Sequence, residues 1–565
     1  MSRVTPEHLR AQTIGADAVV AGPFGDRPLV YADFTASGRQ LAFVEAYLAS
    51  LAPLYANSHT EDSLTGRTAT GLLHDAEATV KRAVGAGPGG KVVFCGNGST
   101  GAIHKLQEIL GVAIPPATLR DVSARLTAAL GDDAAGRLLY DLRERGPVVF
   151  VGPYEHHSNE VMWREGLCTV VEVGLDATGQ ISLDDLAAQL ADPQWAGRRL
   201  IGSFSAGSNV TGVLAPVHEI ARVLHAADAL AVFDYAACGP YVEIDMTPDD
   251  AEARLDAVFL SPHKCLGGPG SAGVLVFDEA LYPQGLAPTV GGGGTVTYVS
   301  AIYHDYTDDV EARETAGTPG LYQALRAAIA LDLKRAVGTD TIRDREHAHL
   351  DRVLARWADD DRIQVLGPGP EVDRLSILSF NVLDGAGQTL HPRFVTVLLC
   401  DLFGIQSRAG CSCAGPYGHR LLGIDDATSA RFRQCLVDGI NGMKPGWARV
   451  GLHFTHSDEE VDYIASAVEF VAAHGRRFLS LYRFDPASGD WTRRDARPAV
   501  LGLRLDDVLA GAAPYGLRRA AGAERQRLMD DALAEAARIA DTLPDPETVA
   551  LDGSIADLQF FAVPA

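Results

Sequence analysis

Between about residues 91 and 278 the chain repeats one pattern, a short apolar run followed by a longer amphipathic stretch. The runs fall at residues 92–94, 148–151, 200–204, 229–233, 257–260 and 274–277, and most are closed by Gly, Asp, Ser or Pro. An unbroken apolar run has no wet face, so as a strand it must be covered on both sides. Helical stretches between such strands supply the cover and return the chain for a parallel neighbour. The pattern predicts an α/β fold with a mainly parallel sheet. Ligands of such sheets bind beyond the carboxyl ends of the strands, so the polar residues just after each run carry the chemistry.

Composition removes several function classes. With 73 acidic against 49 basic residues the formal charge is −24, and no long Lys/Arg cluster interrupts the excess, so a nucleic-acid partner is not expected. No apolar run reaches the length of a membrane span, and residues 1–15 lack the apolar centre of a secretory signal. Eight cysteines in 565 residues, mostly in apolar runs, suggest reduced thiols in a cytoplasm. Residues 112–146 read as a helical insertion and 321–337 as a long helix. Residues 457–460 form a capping box before an apolar stripe at Val461, Ile464, Val468 and Val471, with Gly475 as its expected stop. The expected division is an N-terminal segment (1–27), a large domain (28–320), a small α+β domain (321–480) and a C-terminal extension (481–565).

Only six of the basic residues are lysines, so a lysine in a special setting stands out. Lys264 lies in Ser261-Pro262-His263-Lys264-Cys265-Leu266-Gly267-Gly268, directly after a buried run. Its amine there could form a Schiff base with an aldehyde, and glycines let backbone approach a ligand closely. A solvated loop lysine is the plainer alternative. Asp234 ends the run 229–233, where a carboxylate can pair with a protonated ring nitrogen or simply cap a turn. Gly96-Asn97-Gly98-Ser99-Thr100-Gly101 follows a strand and opens a helix expected near Ala102, a phosphate cradle or an ordinary capped turn. Together, in this order, the three are far more specific than any one.

The chain resembles the fold-type I pyridoxal-phosphate enzymes, specifically the class V aminotransferase family and its cysteine desulfurase and selenocysteine lyase branch. The motifs that carry the likeness spread over about residues 28–475. The resemblance implies a seven-stranded, mainly parallel large domain with a smaller α+β domain, and pyridoxal 5'-phosphate as cofactor. It makes Lys264 the Schiff-base lysine and Asp234 the pyridinium partner. Ser99, Thr100, Ser261 and His263 become cofactor contacts, and His156 the stacking imidazole that can shuttle protons. Asn209 becomes a ligand of the ring oxygen or the substrate carboxylate. It also implies a homodimer in which Thr318, in Ala316-Gly317-Thr318-Pro319, reaches the partner's phosphate.

Two segments bear on the substrate. Alternation from Trp447 to Phe454 puts Arg449 opposite Ala448, Val450 and Leu452, and a guanidinium there resembles the family's clamp on a substrate α-carboxylate. Arg408-Ala409-Gly410-Cys411-Ser412-Cys413-Ala414-Gly415-Pro416 resembles the desulfurase loop, with Cys413 as nucleophile and Arg408 as its arginine. Structural zinc needs four ligands, and only His419 lies near the two cysteines, so no metal is expected. The branch usually has glutamine at Ala237, glutamate at Gly101 and histidines at Cys411 and Ser412. The resemblance thus implies removal of sulfur (or selenium) from L-cysteine (or selenocysteine), leaving alanine, a persulfide on Cys413 and a sulfur-acceptor protein as partner. An aminotransferase, epimerase or C–S β-lyase acting on another amino acid is the alternative.

Overall fold

The computed structural model describes residues 4–369, 371–385, 387–495, 504–511, 516–551 and 553–565. The expected C-terminal extension lies in part outside these residues. Two compact units divide the chain. One takes in Thr35–Arg343 and Pro368–Leu375; the other combines Pro6–Phe34, Asp344–Gly367 and Ser376–Ala565.

The first unit is built on a seven-stranded sheet. Its strands in chain order are β1 (Gly90–Cys95), β2 (Val148–Val151), β3 (Thr169–Glu172), β4 (Leu200–Ser205), β5 (Leu230–Asp234), β6 (Ala257–Leu260) and β7 (Gly273–Asp278). Across the sheet they run β1-β7-β6-β5-β4-β2-β3. β3, β2, β4, β5 and β6 are mutually parallel, and β7 is antiparallel to both β6 and β1. The six apolar runs are six of these strands. β3 escaped the pattern because, as an edge strand, all four of its residues are only half-buried. Val93, Val149, Val232, Phe259 and Leu275 of the sheet pack with Ile103, Leu106 and Trp163 in one core.

The expected insertion forms two helices, Pro116–Leu130 and Asp132–Glu144, in which Ala135 is the sole buried residue. Leu321–Val337 is a helix packed in the first unit against the helix Leu64–Ala83. The units part after Arg343, beyond that helix, rather than at residue 320.

The second unit centres on a four-stranded sheet ordered β8 (Ile363–Val365), β9 (Ile377–Val382), β11 (Trp447–Gly451), β10 (Arg408–Gly410), all neighbours antiparallel. Helix Asp458–Phe478 starts with the expected capping box. It does not stop at Gly475. A Cβ at that position would lie 2.7 Å from Leu390 Cδ1, so the missing side chain permits close packing within a continuing helix. The C-terminal helix Gly522–Thr542 buries Met529, Ala532, Ala536 and Ala540 in the same core as Leu378, Val450 and Ile464. No helix among the described residues is long and apolar enough to cross a membrane.

Glu460 ties both chain ends into this unit. Arg10 grips it through Nε (3.1 Å) and Nη2 (2.9 Å), and Arg525 donates to Oε1 at 2.9 Å. Burial works against the charged carboxyl, but His456, Arg10 and Arg525 outweigh it and hold the pKa down at about 2. A folded value below the ordinary 4.5 means the stabilisation is full above pH 4.5 and fades as pH falls toward 2. Glu460→Gln should cost about 3 kcal/mol at neutral pH, because two guanidiniums lose their counter-charge. In urea unfolding followed by tryptophan fluorescence, the gap to the native chain should close in that acid window.

Candidate active site

The site in the first unit forms where β5, β6 and the turn after β1 end. Asp234 is the last residue of β5, in register with Ser205 of β4 and Phe259 of β6, and it is 3 % exposed. Its carboxylate accepts the Ala236 N–H at 2.9 Å. Burial pushes its pKa up, while the Ala236 N–H, the Lys264 charge and the Ser99 hydroxyl pull the other way. A carboxylate this deep calls for a cationic donor.

Lys264 closes a short helical turn, Pro262–Lys264, directly after β6. The turn is forced tight by its neighbour: a Cβ on Gly268 would sit 1.8 Å from the Pro262 carbonyl oxygen, so only glycine fits. Burial first, and the Lys264 charge second, lower His263 to about 4, which keeps its imidazole neutral at ordinary pH.

The helix expected near Ala102 begins one turn earlier, at Gly98, and runs to Ile109. Ser99 and Thr100 are therefore in its first turn, where backbone N–H groups lack helical partners. Ser99 N–H donates to Ser261 Oγ at 2.8 Å, and the two hydroxyls stand 3.0 Å apart. Gly98 has φ +56°, and a Cβ there would approach Ser261 Oγ to 2.8 Å and His263 Nε2 to 3.3 Å. Any side chain there would push against the Ser261 hydroxyl, so glycine lets the helix start and the turn after β6 meet closely.

His156 follows β2 and is half-buried. Ser158 N–H donates to its Nδ1 at 3.2 Å, so the ring accepts there and carries its proton on Nε2. Ser158 Oγ is also 3.2 Å from Nδ1 and 2.7 Å from Thr100 Oγ1, which links the imidazole to the helix start. Beneath lies a buried network that sequence reasoning missed. Glu155 accepts from Gly152 N–H, Ser205 N–H, Ser205 Oγ and Asn159 Nδ2, at 2.7–3.1 Å. Burial raises its carboxyl to about 8. Its place beside His156 was the available signal. Asn209 is half-buried in a turn whose Ser208 Oγ accepts the Val210 and Thr211 N–H groups, both at 3.2 Å. Thr318 is on an exposed loop, where Asn57 Nδ2 donates to its Oγ1 at 3.2 Å.

In the second unit, Arg408 and Arg449 are directly opposed across β10 and β11. Asp33 joins them, accepting Arg408 Nε on Oδ2 and Arg449 Nη2 on Oδ1, both at 3.0 Å. Arg449 is 3 % exposed, and Asp33 was not expected from sequence. Cys413 is exposed and Cys411 half-buried; all eight cysteines are free thiols. Among the described residues no cluster of three or more His, Cys, Asp or Glu could hold a metal ion.

A family model described as aminotransferase class-V matches residues 134–464, more than half of the chain. The chain belongs to this family. A probable cysteine desulfurase of Halalkalibacterium halodurans is 25% identical over 434 residues, 76% of this chain and 95% of that protein. One of Streptomyces coelicolor is 27% identical over 430 residues, covering 74% and 92%. Among solved structures, the apo cysteine desulfurase of Thermococcus onnurineus matches with TM-score 0.64 and 22% identity over 84% of this chain and 99% of its own. An Escherichia coli cysteine desulfurase in its S-sulfonic acid form matches with TM-score 0.61 and 21% identity, covering 82% and 98%. These two likenesses carry the fold, a type I transferase fold.

As a class-V aminotransferase family member the protein is a pyridoxal-phosphate-dependent enzyme. Its residues suit that cofactor. The buried Asp234 carboxylate matches a protonated pyridine nitrogen, the helix start at Gly98 with its paired Ser99 and Ser261 hydroxyls offers polar donors that suit a phosphate, and the Lys264 amine matches the aldehyde. Asp234→Ala should therefore weaken pyridoxal phosphate binding by roughly 30-fold or more, the cost of removing one partner of a buried charge pair. Fluorescence titration of the apoprotein reads this directly.

Proposed function

We propose that the protein is a cysteine desulfurase, converting L-cysteine and the Cys413 thiol into L-alanine and a Cys413 persulfide. The observation that carries the reading is the Arg408–Cys413 segment. It ends in an exposed thiol and begins at an arginine that shares Asp33 with the buried Arg449. Desulfurases among the sequence relatives support it.

Bound pyridoxal phosphate supplies an electron sink for the pair released at the substrate Cα. Asp234 holds the ring nitrogen protonated. Ser99, Thr100, Ser261 and His263 bind the phosphate and its surroundings, and Asn209 orients the ring oxygen. Lys264 anchors the aldehyde and then moves the proton from Cα. His156, with its proton on Nε2, would lie against the cofactor in this reading and can pass a proton at that atom. Arg449 holds the α-carboxylate through its fork of N–H donors. Cys413 as thiolate attacks the substrate sulfur, so the Cβ–S bond breaks as the S–S bond forms. In the same reading the exposed Thr318 loop serves a second copy's phosphate in a two-fold dimer, and the exposed persulfide is handed to a sulfur-acceptor protein. L-selenocysteine would donate selenium by the same route.

Cys413→Ser should reduce alanine formation from L-cysteine by at least ~100-fold while the borohydride-fixable chromophore at Lys264 remains. Chromatographic product analysis decides the matter: pyruvate with free sulfide, at a rate indifferent to Cys413, marks a β-lyase instead.

A further inference from the structure

Cys411 and Cys413 sit on one unusual turn. The Ala414 N–H donates to the Cys411 carbonyl at 3.0 Å, closing a four-residue turn between the edge strand β10 and helix Gly415–Leu421. Its two central residues, Ser412 and Cys413, have φ of 51° and 57°. Positive φ at both centres defines a turn normally filled by Asn and Gly. A side chain in this left-handed region costs on the order of 1 kcal/mol per residue and persists mostly where function requires it. Among the described residues only one other non-glycine, Asp228, has positive φ.

The consequence is spatial. On an extended strand two residues at positions i and i+2 stand about 6.6 Å apart. A left-handed turn curls them closer, inside the ~4.4–6.8 Å Cα separation that a disulfide spans. Strand geometry would leave Cys411 and Cys413 near the upper limit of that range, and the positive φ at Ser412 and Cys413 draws them further inside it. Both are free thiols, the inner one half-buried and the outer one exposed.

Resting on the desulfurase reading, we propose that Cys411 is a resolving thiol for the persulfide on Cys413. The Cys411 thiolate attacks the Cys413 Sγ, forming the Cys411–Cys413 disulfide and expelling the terminal sulfur as hydrosulfide. The sulfane sulfur is reduced by two electrons, and the two cysteine thiols supply them. The hydrosulfide leaves with the proton of the persulfide, and the Cys411 proton goes to solvent. An external dithiol reductant then reopens the disulfide, so sulfur that no acceptor protein has taken leaves the enzyme as free sulfide in a cycle coupled to dithiol oxidation.

The test is a single turnover of the holoenzyme with L-cysteine in anaerobic buffer without added reductant, quenched with a thiol-alkylating reagent. Intact mass and peptide mapping follow. The native chain should become lighter by two hydrogens, with a Cys411–Cys413 link and roughly one equivalent of free sulfide per subunit. Cys411→Ser should instead stay heavier by one sulfur atom at Cys413, with sulfide release reduced at least tenfold. A native chain that keeps the extra sulfur, makes alanine and shows no link overturns the resolving role alone. Alanine formation at the native rate by Cys413→Ser overturns the desulfurase reading and this proposal with it. Peptide mapping of the native chain decides even if Cys411→Ser does not fold.

Discussion

The first unit is organised around a buried carboxyl group at the end of a strand. Asp234 is placed by two parallel neighbours, Ser205 and Phe259 in register, and it has almost no contact with water. Such a group is tolerated only where its surroundings answer it, here with the Ala236 N–H, the Ser99 hydroxyl and the Lys264 charge. Ser99 belongs to the start of the helix after β1, and Lys264 to the turn after β6. One carboxylate thus fixes where three strand ends must converge. The tight glycine-lined turn at Pro262–Lys264 and the left-handed Gly98 follow from the same convergence.

Much of this was legible in the sequence, because the informative signals are local. Six of seven strands announced themselves as apolar runs, and Asp234, Lys264 and the Gly98 segment could each be placed at a strand's end. The edge strand β3 was silent because a half-buried edge carries no continuous apolar run. The helix start moved from Ala102 back to Gly98 because the glycine accepts positive φ and lets the helix begin inside the turn. Gly475 was misread for the opposite reason: its role is a tertiary contact with Leu390, which no local pattern encodes.

The partners of the site residues were the least legible. Ser158 orients His156, Glu155 braces the loop below it, and Asp33 couples Arg408 to Arg449 from hundreds of residues away. None of these has a motif. They are chosen by the fold, and a chain read alone shows the groups that react more readily than the groups that hold them. The C-terminal helix is a further instance. The sequence offered only an extension there, yet its alanine-rich helix completes the core of the second unit and places Arg525 on Glu460.

The carboxylate already seated on Arg449 has an implication for selectivity. If that guanidinium receives an incoming acid, the event is an exchange of one anion for another, not the filling of a bare positive pocket. The energy that decides it is a difference between two similar contacts, so weakly matched acids gain little over the resident Asp33. In that case the cation would keep a counter-ion between turnovers, and product would leave without uncovering an isolated charge.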